Sequence, residues 1–292
     1  MRIEDDNGIS ALIRSVEEER ICTGFTFTEG PVWVVADTCL LFSDIPGNRI
    51  HRWRPGMTEA EVYREPSRHA NGLTLDVAGN VVACEHSGRQ VSRGVFGGVD
   101  ETLVDRFEGK RLNSPNDVVV HDNGAVYFTD PPYGLGPGDT REIDFQGVYR
   151  FDLDGSLTCV VRNLTSPNGL TFSPDQSELY VGDSRDRVIM RYRVQADGSL
   201  SNGEVFADRK DDQRTGNFDG MKVDEDGRLW TTGPGGVSVY EADGTYIGVF
   251  EMAEHAANIA FGGPEFSTLF LTARTSVYRV ETAVRGVAPG SR

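Results

Sequence analysis

Six stretches of the chain repeat one pattern, and that repetition restricts the fold more than any other feature. Each opens with a polar residue, continues as a short apolar run, turns about eight residues on and ends in a second apolar run. They are EGPVWVVADTCLLFSD from Glu29, NGLTLDVAGNVVACEH from Asn71, NDVVVHDNGAVYFTDP from Asn116, NGLTFSPDQSELYVGDS from Asn168, DGMKVDEDGRLWTTGP from Asp219 and NIAFGGPEFSTLFLTA from Asn258. Their first residues lie 42, 45, 52, 51 and 39 positions apart. Paired strands at this period mark the blades of a propeller.

Within each unit the two apolar runs read as strands joined by turn chemistry, such as Ala78-Gly79-Asn80, Asp122-Asn123-Gly124, Ser173-Pro174-Asp175 and Asp226-Gly227. More strand-like runs follow each pair. After Asp226-Gly227 come RLWTT, VSVYEA and YIGVFE, separated by GPGG and DG turns. The predicted fold is all-β: a six-bladed β-propeller with four-stranded blades, forming one domain over residues 1–292. Residues 1–14 read as an N-terminal extension, and a short helix fits only within residues 8–19. The sixth unit ends at SVYRVET, before a fourth strand. The segment VEEERICTGFTFT from Val16 is strand-like in its second half and is expected to supply that strand, closing the last blade. A β-sandwich or two smaller domains would need a boundary. No linker, low-complexity tract or shift in composition marks one.

Composition excludes some partners. The formal charge is -16 and the pI about 4.7, which disfavours nucleic acid and anionic membrane surfaces. The N-terminus, MRIEDDNGISALIRSVEEER, has no apolar signal-peptide core, and no run reaches the length of a membrane span. A cytoplasmic location is expected. Cys22, Cys39, Cys84 and Cys159 lack metal-type spacing and read as buried free thiols.

In a propeller the innermost strand of each blade lines a central channel. The six opening residues, Glu29, Asn71, Asn116, Asn168, Asp219 and Asn258, are therefore expected to converge at one mouth. Singly, each reads as a turn or capping residue. In register, they form a ring of two carboxylates and four carboxamides with no histidine or cysteine. Such hard oxygen donors suit Ca²⁺, Mg²⁺ or Mn²⁺ better than a structural zinc. Two neighbouring buried carboxylates would repel each other, and a divalent cation removes that conflict. Other motifs carry less. Gly233-Pro234-Gly235-Gly236 lacks a following helix and reads as a turn, the serines lack a nucleophile elbow, and Glu17-Glu18-Glu19 reads as a solvated face.

The motifs EGPVW, NGLTLD, CEH, GKRLNSPNDVVV, YFTDPPYG, DFQGVYR, SPNGLTFSPD, LYVGDS and DGMKVD run from about Glu29 to Val280. Together they resemble the senescence-marker-protein/gluconolactonase/luciferin-regenerating-enzyme-like family, its bacterial gluconolactonases in particular. The resemblance implies one divalent cation, Ca²⁺ first with Zn²⁺, Mg²⁺ or Mn²⁺ as alternatives. It implies Glu29, Asn168 and Asp219 as ligands, with Asn116 as a fourth ligand or a substrate contact. The related diisopropylfluorophosphatase propellers use a similar Glu, Asn, Asn, Asp set around calcium. The implied activity is hydrolysis of a sugar lactone of the glucono-1,5-lactone type. Asp219 is the candidate base. Tyr133, His69 and Arg111 are candidate substrate contacts; each also reads as an ordinary packed or surface residue. The rival readings are phosphotriester or other ester hydrolysis at the same site, and a non-catalytic calcium-binding propeller.

Overall fold

The computed structural model describes residues 1–94 and 100–290. Antiparallel pairing turns each repeat into a sheet whose first strand is innermost. Those inner strands are Thr28–Val34, Ala70–Leu75, Val118–Val120, Pro167–Phe172, Met221–Val223 and Asn258–Gly262. Each packs against the inner strand of the next blade, and the last packs against the first, so the sheets form a closed six-bladed propeller.

The core is divided accordingly. Its six apolar clusters each fill the wedge between two adjacent blades. Second strands such as Cys39–Asp44 and Thr268–Ala273 have neighbours on both faces and are buried throughout. Outer strands such as Leu157–Leu164 are only partly covered. At the closure, Trp33 of the first blade stacks on Phe270 of the sixth, with ring centroids 5.3 Å apart. All four cysteines are free. Cys22, Cys39 and Cys84 are buried, while Cys159 is half-buried.

The ring closes with strands from both ends of the chain. Glu19–Thr23 pairs with Ser276–Glu281 and completes the sixth blade, as expected from the strand-like run before Glu29. The first residues do more than extend the chain. Arg2–Asp6 pairs with Tyr246–Glu251, giving the fifth blade a fifth strand. A bare edge strand presents unpaired backbone groups, and this pairing covers them. A 3-10 turn at Ile9–Leu12 then buries Ile9 against the fifth and sixth blades. A two-stranded hairpin, Arg106–Phe107 with Lys110–Arg111, stands between the second and third blades. At the far end of the inner strands, Val287–Gly290 lie beside Val120, Phe172, Val223 and Phe261, across the end of the channel opposite the ring residues.

Close approach at the axis explains four glycines. Gly30, Gly72, Gly169 and Gly220 each follow a ring residue. A Cβ on Gly30 would stand 2.0 Å from the Asn71 carbonyl oxygen, and one on Gly169 would stand 1.9 Å from that of Asp219. Even one methyl group would push neighbouring blades apart. Gly169→Ala is therefore expected to destabilise the protein by about 2 kcal/mol or more, read from urea denaturation.

Candidate active site

Each ring residue stands where its chain segment turns into an inner strand, and three of these turns share one device. The aspartate ending the second strand of the blade accepts the two backbone N–H groups just upstream of the ring residue. Asp44 accepts from Thr26 and Phe27, at 3.2 and 3.0 Å, ahead of Glu29. Asp130 accepts from Asn113 and Ser114, both at 2.7 Å, ahead of Asn116. Asp183 accepts from Thr165 and Ser166, at 2.6 and 3.2 Å, ahead of Asn168. These carboxylates meet donors that a Ser-Pro or Phe-Thr turn would otherwise leave unpaired. Burial pushes Asp130 up to about 7, and the two N–H groups oppose that shift. In the second blade the same place holds Glu85, fully buried and paired with Arg64 and Arg68.

The ring itself is bonded side chain to side chain. Asn71 Nδ2 donates to Asn116 Oδ1 at 2.8 Å, and Asn116 Nδ2 donates to Asn168 Oδ1 at 2.7 Å. Asn168 Nδ2 donates to Ser184 Oγ at 2.9 Å, and its amide lies where it favours the charged form of Asp219. On the other side Asn258 Nδ2 donates to Glu29 Oε2 at 2.9 Å, and the Gly30 N–H donates to the same oxygen at 2.8 Å. The six residues do converge. Asn71, Asn116, Asn168, Asn258 and Glu29 are buried, while Asp219 keeps partial access to the mouth.

Electrostatics distinguish the two acids from the amides. Burial, together with the Asp117 charge, pushes Glu29 up to about 7; Gly30, Asn258 and Lys222 oppose it. Asp219 is raised well above the usual carboxylate range, by desolvation first and then by repulsion from Glu29 and Asp117. Beneath the ring, Lys222 lines the channel and donates from Nζ to the Met221 carbonyl at 3.0 Å. Burial lowers its pKa, and Asp117 and Glu29 oppose that. Asp117 is raised by burial, and one of its carboxylate oxygens has no hydrogen-bond partner. Asp117 and Glu29 thus face the one amine, and Asp219 is repelled by both acids.

The pocket wall comes from the blade-top loops. His86 Nε2 lies 3.2 Å from Asn71 Nδ2, and burial drops its pKa to about 4, so its ring is neutral near pH 7. His69 sits in the left-handed region at φ 55° and bonds Ser87 Oγ through Nδ1 at 2.9 Å. The Tyr133 hydroxyl pairs with Ser166 Oγ at 2.6 Å and reaches Ser184 and the field of Asp219, so this half-open aromatic belongs to the mouth. Arg111 stands further out: its guanidinium reaches the Gly88 carbonyl at 3.4 Å, and its backbone N–H bonds Glu142.

Sequence reasoning singled out the ring and Tyr133 but missed several partners. Ser184 was read only as a serine without a nucleophile elbow. Asp117 stands where four blades have glycine, and that departure from the repeat was a usable signal. The acids closing FSD, FTD and VGD recur fourteen or fifteen positions after their ring residues, which was another. Lys222 gave none, because a single lysine in a strand normally faces solvent.

A six-bladed propeller with acids and carboxamides gathered at one mouth defines the class of protein. Residues 27–275 match the family described as SMP-30/Gluconolactonase/LRE-like region, and the chain belongs to that family. A gluconolactonase of Zymomonas mobilis is 34% identical over 92% of this chain and 82% of its own. A pentonolactonase of Haloferax volcanii is 34% identical over 84% of this chain and 80% of its own. The solved structure of a gluconolactonase from Xanthomonas campestris superposes with a TM-score of 0.87 at 33% identity, covering 96% of this chain and 94% of that one.

The clamps carry a measurable load. Asp183→Ala strips acceptors from the Thr165 and Ser166 N–H groups, and is expected to cost roughly 2–4 kcal/mol in urea denaturation. Asp183→Asn, which keeps one acceptor oxygen, should cost less.

Proposed function

We propose that this protein hydrolyses a sugar lactone of the aldono-1,5-lactone type to its aldonic acid, with a divalent cation held at the channel mouth. The observation carrying this reading is the ring itself. Two carboxylates, Glu29 buried and Asp219 partly accessible, and two linked carboxamides converge on one mouth, in a chain similar to lactonases over most of its length.

The donor set fits a hard cation. Among the described residues no group of three or more His, Cys, Asp or Glu side chains is arranged to hold a metal. The proposed set draws instead on two acids, Glu29 and Asp219, and two amide oxygens, Asn168 and Asn116. Lys222 alone does not balance Glu29, Asp219 and Asp117, and a divalent cation would supply the missing charge. Calcium suits such oxygen donors, and magnesium, manganese or zinc would also meet acceptable ligands. When bound, the cation acts as a Lewis acid that polarises the lactone carbonyl.

The chain's own groups then handle binding and the proton. Tyr133 stands at the rim with its hydroxyl beside Ser166, placed to contact a sugar ring or hydroxyl. His69 keeps Nε2 for a hydroxyl while Ser87 holds Nδ1. Arg111 would act at the outer edge of the pocket. Asp219 is a carboxylate with partial access to the mouth, where it can take the proton of an attacking water. It takes a proton as water attacks the carbonyl carbon. The ring C–O bond breaks, and the leaving oxygen takes the proton back from Asp219. The product is the open hydroxy acid.

Chelation with EDTA should abolish turnover of glucono-1,5-lactone, and one divalent ion should restore it; unchanged turnover in EDTA would remove the cation from the mechanism. Asp219→Asn is expected to lower kcat by at least about 10²-fold while the thermal melt stays cooperative. Wild-type turnover in that variant would exclude Asp219 as the base. A proton on Glu29 competes with the cation. Cation affinity should therefore fall as pH drops through about 7, the value to which Glu29 is pushed. Isothermal titration calorimetry across pH 5.5 to 8 checks the sign.

A further inference from the structure

The hydrogen bonds around half of the ring all run one way, and the residue at one end accounts for the direction. A serine hydroxyl has one proton to give. Ser184 gives it to the Phe218 carbonyl at 2.5 Å, so the contact of Asn168 Nδ2 with Ser184 Oγ at 2.9 Å must be a donation from asparagine to serine. A carbonyl can only accept, so this end cannot reverse. At the other end, Asn71 Nδ2 stands 3.2 Å from His86 Nε2. A neutral imidazole can accept or donate at Nε2 according to its tautomer, so this end adapts to either direction and the Ser184 end sets it. Between the ends, Asn71 donates to Asn116 and Asn116 donates to Asn168.

Turning over the Asn168 amide alone would set its NH2 against the NH2 of Asn116 and its oxygen against the lone pairs of Ser184. Two hydrogen bonds would be lost in a buried site. As bonded, the Asn116 and Asn168 oxygens each accept one N–H in the ring and keep a second lone pair. A hard cation needs that lone pair and is repelled by an NH2 group. We infer that Ser184 is a positioning residue that fixes the direction of this amide chain, so that Asn116 and Asn168 offer oxygen to the cation. This rests on the cation reading above. Ser184 supplies no ligand; it acts through Asn168.

The test is calorimetric titration of metal-stripped protein with calcium, magnesium, manganese and zinc chlorides, followed through the variants with the tightest ion. Ser184→Val and Ser184→Thr have nearly the same volume and differ in the hydroxyl. Ser184→Val and Ser184→Ala are expected to bind about tenfold more weakly than wild type, and Ser184→Thr within about threefold. A cooperative thermal melt in chelator for both the valine and threonine variants separates loss at the ion from loss of fold. Equal affinity of the valine and threonine variants, or wild-type affinity in Ser184→Ala, overturns the inference alone. A wild-type protein that binds none of the four ions overturns the cation reading beneath it.

Discussion

Six inner strands must meet at one axis, and the crowding there governs the rest of the molecule. Backbone approaches so closely that Gly30 and Gly169 face carbonyl oxygens of the next blade where a side chain would stand. That proximity brings residues from distant parts of the chain into hydrogen-bond range. It lets Asn71, Asn116 and Asn168 bond in series although 45 and 52 positions separate them. Wedge-shaped apolar layers between the blades hold the convergence in place, because pulling one blade outward would expose two clusters at once.

The same crowding creates the electrostatic tension at the mouth. Glu29 and Asp219 lose hydration as they come together, and both hold their protons more tightly for that reason. Asp117 adds a third acid below them, and Lys222 is the cationic side chain that opposes both Glu29 and Asp117. A polypeptide could relieve this with more cationic side chains or with amides. This one sets amides bonded in one direction beside the acids, where we propose that a divalent cation binds.

Legibility followed periodicity. The blade count, the inner strands and the closure by residues near Cys22 were readable because each depends on alternating apolar runs and turn residues recurring at a fixed period. The strand at Arg2–Asp6 was not, since RIEDD lacks an apolar alternation; it forms because the fifth blade offers an edge. The ring residues were legible through their shared place in the repeat. His86 was legible as a hydrogen-bonded pocket histidine, but the part played by Ser184 was not, since it lies in a loop beyond the second strand, where one-letter codes give no hint of bond direction. Arg111 shows the converse: it lies in a specific motif, and its side chain bonds a backbone carbonyl at the pocket's outer edge.

By itself the sequence determined the architecture and the chemical type of the mouth. Strand period, turn residues and the repeated Glu, Asn and Asp positions are local properties, present in each unit before any unit meets another. The tertiary structure decided everything that depends on pairs. It set which amide faces which, which acid is stripped of water, and which lysine ends beneath the ring instead of in solvent. Hydrogen-bond direction and desolvation are properties of neighbours in space, and the neighbours at this mouth come from six different blades.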